Sequence, residues 1–301
     1  MKLRQFAMVG CVLVATLVFA ATRTTAAPGL PVSYWNFDGS GSTASDSPPG
    51  DSHDGTIGSA VTRVAGAIGS GALEYSNVNS GTTGYVRVPA HTDFDGGTGR
   101  TVEFLAKPPG DGQWTMLNAI NNSDYAFTRH GEIALGFNYD NFGTTPGHPG
   151  IFMELWSTGG ALNRLDVHLA DSSGIELADL QDGNYHHLVA TYDVASGDQK
   201  IYVDGALEST ANLGAGTAID VQTTRALQIG DVVDPGGHAP MEGRLDEVAY
   251  YDHAITAAEV AAHYNNFLAG NDYFVPEPSS LTLLMMGLAG LWACTRRRRR
   301  K

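Results

Sequence analysis

Acids dominate the reactive side chains of this 301-residue chain, with 32 Asp and Glu against 18 Lys and Arg. Acid–base chemistry between paired carboxyls is therefore the first reaction to look for. Glycoside cleavage needs two of them, about 5–5.5 Å apart with retention and about 6.5–9.5 Å apart with inversion. On one strand, acids two residues apart share a face and adjacent ones do not. Glu176 and Asp179 are three apart and Asp246 and Glu247 are neighbours, so neither pair has that spacing. Acids distant in sequence can still converge. His186-His187 offers imidazoles for a metal or a base. Asp93-Phe94-Asp95-Gly96 imitates the start of a calcium loop, but Gly at the sixth position and Glu at the twelfth are missing, so it is set aside. The sequence has no Gly-x-Ser-x-Gly elbow, and its Gly-rich runs lack the Lys-Ser/Thr ending of a phosphate loop. Aromatics remain: Trp114, Tyr139, Phe142 and Trp156 can stack on sugar rings. The Gly- and Pro-containing stretch 138–150, with Tyr139, Phe142 and His148, is the candidate exposed rim, whereas Trp35 is assigned to the core.

Strands must position these groups. Residues 185–209 read YHHLVATYDVASGDQKIYVDGALES. Leu188, Ala190 and Tyr192 fall on one face, and His187, Val189 and Thr191 on the other. A period of two with apolar groups on both faces predicts a strand between two layers. Asp204-Gly205 follows 200–203 directly, and a type I′ turn, which needs φ > 0 at both central residues, predicts a hairpin there. Further strands are predicted at 32–37, 72–75, 85–88, 101–107, 114–119, 125–129, 132–137, 151–156 and 164–169. Many short strands separated by turn residues predict an all-β sandwich or barrel. One helix is predicted. Thr256 and Glu259 form a capping box, Ile255 and Val260 a staple, and Val260, Tyr264, Phe267 and Leu268 an apolar stripe.

Composition removes several classes of function. The only cysteines, Cys11 and Cys294, lie in terminal apolar segments, which excludes a disulfide scaffold, a thiol nucleophile and a cysteine zinc site in between. Between those segments the acids outnumber the bases roughly three to one. Such a surface repels nucleic acid and anionic membranes and favours divalent cations.

Three stretches carry a family resemblance in the order that family has them. They are 33–59 with 66–76 and 84–89 (SYWNFDGSG…, GAIGSGALEYS, GYVRVP), then YHHLVATYD…IYVDG, then LQIGD and GRLDEVAYYDHAITAAEVAAHY. The chain resembles the LamG-like (laminin G/pentraxin-like) domains of the concanavalin A type. The resemblance implies a two-sheet jelly-roll sandwich over 28–271, with one short helix closing one end. It makes His186-His187 a framework feature. It also implies a structural calcium between the loop after the first strand and the penultimate motif, the positions of Asp38 and Asp246; Glu247, on the other face, is expected to pair with a base. In jelly-roll glucanases the acid pair comes from Glu-x-Asp-x-x-Glu, which is absent here. The expectation is a non-catalytic binding module with Tyr139, Phe142 and Trp156 as ligand contacts. Its partner would be an extracellular polysaccharide or glycoprotein, with a protein-binding adhesin or matrix protein as the alternative and a glycoside hydrolase third.

The termini read as sorting segments. Lys2 and Arg4 precede the apolar stretch 6–21, a secretory signal predicted over 1–26. At 275–301, Pro276-Glu277-Pro278, a short apolar run and an arginine cluster resemble the PEP-CTERM sorting signal of Gram-negative bacteria. The run is at the short end for a membrane helix, and the basic tail would stay cytoplasmic. The resemblance implies transient inner-membrane anchoring, processing by an exosortase, and export to the cell surface or extracellular matrix. Glu277→Ala, or removal of residues 296–301, should leave full-length protein in the membrane fraction. Immunoblots of fractionated cells check this; normal-sized protein outside from both variants would show that sorting does not use this signal.

Overall fold

Alternation along the strands settles into two packed sheets. The computed structural model describes residues 29–47, 53–76, 83–109, 123–138, 150–168, 175, 177–234, 237–238 and 241–274. In chain order the strands are β1 (Ser33–Trp35), β2 (Thr43–Ala44), β3 (Gly55–Ile57), β4 (Thr62–Val64), β5 (Ala72–Ser76), β6 (Val86–Val88), β7 (Gly99–Lys107), β8 (Ser123–Arg129), β9 (Ile133–Asn138), β10 (Gly150–Ser157), β11 (Ala161–His168), β12 (His186–Asp193), β13 (Asp198–Val203), β14 (Ala206–Asn212), β15 (Leu227–Ile229), β16 (Val233–Asp234), β17 (Gly237–His238) and β18 (Glu242–Tyr251). Helices α1 (Leu177–Leu180) and α2 (Ala257–Leu268) complete the set. The first sheet has the order β14-β13-β12-β7-β18-β5-β4, with β1 also on β18; the second runs β11-β10-β9-β8-β15-β6-β3-β2. Both are antiparallel, the jelly-roll sandwich that the sequence predicts.

One core lies between the sheets. Trp35, Phe104, Leu188, Tyr192 and Val248 from the first meet Val86, Phe127, Leu135 and Met153 from the second. Asp204 (φ 49°) and Gly205 (φ 78°) make the predicted left-handed turn, closing β13 onto β14 at Val203 and Ala206.

The first sheet is buried on its outer face as well. There Tyr34, Leu105, Val189, Tyr202, Ala249 and Tyr251 pack under Ile255, Val260 and Tyr273. This explains why both faces of β12 are apolar. The capping box of α2 forms, with Thr256 Oγ1 accepting the Glu259 N–H at 3.2 Å and Glu259 Oε2 accepting the Thr256 N–H at 2.7 Å. The helix differs from the sequence expectation in two ways. It covers the outer face of the first sheet rather than one end, because that face is apolar and must be shielded. Its buried residues are Val260 and His263, while Leu268 is 63% exposed, past the edge of the apolar patch.

His263 has a polar reason to be inside. Glu103, on the outer face of β7, receives His187 Nε2 at 2.7 Å and His263 Nδ1 at 2.9 Å on Oε1, and the Tyr251 hydroxyl at 2.8 Å on Oε2. Burial alone would push the Glu103 carboxyl up, but His263 and His187 outweigh it and bring it down to about 2. Burial would likewise lower His263, and Glu103 raises it instead. A depressed carboxyl stabilises the fold above its ordinary value of 4.5 and loses that stabilisation as pH falls toward 2. A raised imidazole stabilises it below 6.5 and loses that as pH rises through the folded value. Both contributions are thus whole between pH 4.5 and 6.5. There Glu103→Gln should cost most, about 3–5 kcal/mol for breaking a buried pair. That is a melting shift of roughly 2–4 °C per kcal/mol in a domain of this size. Melts across pH check this; a loss independent of pH would assign the effect to packing alone.

Candidate functional site

Two places hold residues that the sequence singles out, Asp38 and Asp246 in the first and Trp156 in the second. The first is the loop 66–71 between β4 and β5. Asp246 sits where the register of β18 on β7 shifts, and its Oδ2 accepts the N–H groups of Ala67 at 2.8 Å and Ile68 at 3.2 Å. Its Oδ1 accepts the Glu247 N–H at 2.9 Å. Asp38, just past β1, uses Oδ1 to accept the N–H groups of Ser70 and, at 2.9 Å, Gly71. The two sequence-distant carboxylates therefore hold the same loop. Gly69 (φ 61°) is required here, since a Cβ would come within 2.3 Å of Asp38 Oδ2. Burial pushes the Asp246 carboxyl up to about 7 against its three N–H bonds, and the charge of Asp38 adds to the rise. Both acids thus already satisfy backbone N–H groups of the loop.

Glu247 departs from the expected pairing with a base. The bulge gives it φ 52°, its side chain is buried, and Oε2 has no hydrogen-bond partner. Burial first, and then Asp272, push its carboxyl up to about 8.

The second place is the outer face of the second sheet. On β10, Ile151, Met153 and Leu155 point into the core, so Phe152, Glu154 and Trp156 face outward. A turn with Gly159 (φ 95°) and Gly160 (φ 76°) folds β11 back, and register sets Arg164 opposite Glu154 and Asp166 opposite Phe152. Arg164 then donates to both acids, to Glu154 Oε1 at 3.1 Å and to Asp166 Oδ1 at 2.9 Å. Its guanidinium lies 4.3 Å over the Phe152 ring. Tyr125 on β8 donates its hydroxyl to Glu154 Oε2 at 2.9 Å, and its ring meets Phe152 edge-on at 5.1 Å. Burial raises the Glu154 carboxyl, and Arg164 opposes that rise. Trp156 is half-buried, with its ring 5.6 Å from that of His130.

Glu154, Arg164 and Asp166 were not singled out from the sequence. The available signal was their symmetry about Gly159, which a hairpin reading of 157–161 would have turned into cross-strand neighbours. Tyr139 and Phe142 of the expected rim, Trp114, and Pro276, Glu277 and Pro278 of the sorting motif lie outside the described residues. Register does locate the roots of 139–149: Asn138 pairs with Gly150. Trp156 is six residues along β10 from Gly150, or about 20 Å. Among the described residues, no helix is long and apolar enough to cross a membrane.

With this sandwich goes a sequence match over residues 80–261, and the chain belongs to the concanavalin A-like lectin/glucanases superfamily. Residues 274–300 match the PEP-CTERM protein-sorting motif, which marks an exported, exosortase-sorted cell-surface protein. No curated protein matches the sequence. Among solved structures, the fold is similar to the binding domain of Paraclostridial Mosquitocidal Protein 1, with TM-score 0.56 and 13% identity over 78% of this chain and 51% of that one. It is also similar to the receptor binding domain of botulinum neurotoxin type G, with TM-score 0.53 and 12% identity over 79% and 51%. The chain thus spans about half the length of these structures, and at such identities the likeness is one of fold.

Proposed function

We propose that this chain is an exported, non-catalytic binding module for an extracellular polysaccharide or glycoprotein. The observation that carries the reading is the outer face of the second sheet. There half-buried Trp156 and Tyr125 flank the Glu154–Arg164–Asp166 chain. A sugar presents apolar ring faces and a rim of hydroxyls, so a site for it combines aromatic planes with a few placed polar groups. Hydrolysis is disfavoured on other grounds: the Glu-x-Asp-x-x-Glu acid pair of the jelly-roll glucanases is absent from the sequence. Before processing, the C-terminal segment anchors the chain in the inner membrane of a Gram-negative bacterium; exosortase cleavage then delivers it to the surface or matrix.

A glycan array probed with the purified protein tests this. Binding to at least one polysaccharide class is expected, weakened tenfold or more in Trp156→Ala, about 1.4 kcal/mol. Binding to proteins and to no glycan would put the adhesin reading in its place. Reducing-sugar release that disappears in Glu154→Gln would make the chain a hydrolase.

Calcium at Asp38 and Asp246 belongs to the same reading as a structural ion holding the loop 66–71. A cation bound only by the folded state adds about 2.7 kcal/mol at a hundredfold excess over Kd. The expected melting shift is roughly 2–4 °C per kcal/mol. After chelation, calcium should restore more stability than magnesium, which demands tighter octahedral geometry. Asp38→Asn, at an exposed position, should remove the difference. Equal shifts from both ions that persist in the variant would reduce the effect to screening of an acidic surface.

A further inference from the structure

We propose a second metal centre, for zinc or a similar borderline divalent ion, formed by His53, His91 and Asp93. The three residues come from two segments far apart in sequence, one entering β3 and one between β6 and β7. His53 Nε2 lies 3.1 Å from His91 Nδ1 and 3.2 Å from Asp93 Oδ2, and His91 Nδ1 lies 3.2 Å from Asp93 Oδ2. Three ligand atoms thus form a nearly equilateral triangle. Around a tetrahedral ion with bonds of about 2.0–2.1 Å, ligand atoms stand about 3.3 Å apart, so an ion fits above this triangle with little movement.

Protons are short at the triangle. His91 Nδ1 accepts the Asp93 N–H at 3.3 Å, as cap of the 3-10 turn Thr92–Phe94, so this nitrogen carries its lone pair rather than a proton, and an ion would take that lone pair in place of the long N–H bond. The Asp93 carboxylate brings lone pairs only. The remaining group is His53, whose other nitrogen, Nδ1, is 3.1 Å from Asp46 Oδ2 and 2.7 Å from Ser33 Oγ. With Nδ1–H donated to Asp46, Nε2 offers a third lone pair, and the three acceptors meet with only the long Asp93 N–H bond to His91 to satisfy them. A metal ion resolves that conflict. A ring N–H held by a carboxylate behind a ligating imidazole is also the usual outer arrangement of a zinc histidine. The bland alternative is the other tautomer, in which Nε2–H is shared between His91 and Asp93 and no ion is needed.

Chemistry of the donors selects the ion. Two imidazoles and one carboxylate suit zinc, cobalt or nickel, whereas calcium and magnesium take oxygen. His53 is buried and fixed, while the side chains of His91 and Asp93 are 49% and 38% exposed. The fourth position therefore opens to solvent and can take water or a donor atom of a ligand. This centre lies at the opposite end of the sandwich from Asp38 and Asp246: β1 runs from Ser33, which touches His53, toward Asp38.

The purified full chain, stripped with a chelator, should bind one equivalent of zinc by calorimetry. Cobalt should give the intense visible bands of a tetrahedral nitrogen and oxygen site, unchanged by excess calcium. His91→Ala, an exposed substitution that spares the core, should lower zinc affinity at least a hundredfold and abolish the cobalt bands. Asp46→Asn should lower affinity about 10–100-fold, with circular dichroism to check its fold. Zinc binding that is absent, displaced by calcium, or undiminished in His91→Ala would overturn the proposal.

Discussion

Glu132 is the group on which the assembly of the two sheets depends. It stands in the turn between β8 and β9, fully buried, and its Oε1 receives Arg100 Nε of the first sheet at 2.6 Å and the Tyr250 hydroxyl at 3.2 Å. Its Oε2 receives Arg129 Nη1 at 2.9 Å and the Gln222 N–H at 3.0 Å. Most of the arginines' other bonds go to the loop before β7: Arg129 reaches Asp95 and the Phe94 carbonyl, and Arg100 the Gly96 carbonyl, while Arg129 also reaches the Gln222 carbonyl. Two cations against two carboxylates make the knot neutral, and nearly every donor finds an acceptor. A buried charge left unpaired would cost several kcal/mol. The register of the sheets against each other is therefore tied to all members at once, which slippage of an apolar interface alone would not guarantee.

That knot also fixes the far side of the loop. Phe94 is clamped through its carbonyl, and its ring lies 4.7 Å from that of His53. The turn carrying His91 and Asp93 is thus positioned by residues of both sheets. At the other end, Asp38 and Asp246 hold the loop 66–71 through its N–H groups. The core supplies area between the sheets, while each end is shaped by carboxylates satisfying backbone and basic partners. Ends of a sandwich lack ladder partners, so side chains must take over this role.

Much of this was legible because local rules had no competitor. Asp204-Gly205 predicts its own turn, Thr256 and Glu259 their own cap, and the two apolar faces of β12 announce a layer on each side. The identity of the covering layer was less accessible: α2 was expected at one end, since nothing within its stripe says which surface it meets. His263 carries no signal of its own in the stripe, and only Glu103, 160 residues earlier, gives it a reason to be buried. Glu247 broke the alternation rule because a bulge intervenes, and register shifts are invisible to a period of two. His53 belongs to a different loop from His91 and Asp93, and convergence of loops is set by the whole fold.

The asymmetry of the two sheets bears most directly on function. The first has spent its outer face on α2, with Tyr34, Val189 and Tyr251 shielded by Val260 and Tyr273. On the second, the outward residues of β10 and β11 are instead an aromatic and ionic set: Phe152, Glu154, Trp156, Arg164 and Asp166. Phe152 and Glu154 within this set are withdrawn from solvent, so their ring and charge are held in place much as Glu103 is on the first sheet. Phe152, Glu154, Arg164 and Asp166 are held by Tyr125 and by one another, and so are ordered before any ligand arrives. Little rotamer entropy is then left to lose on binding. Side chains carried on a sheet, rather than on a loop, are held with greater precision by the rigid backbone beneath them.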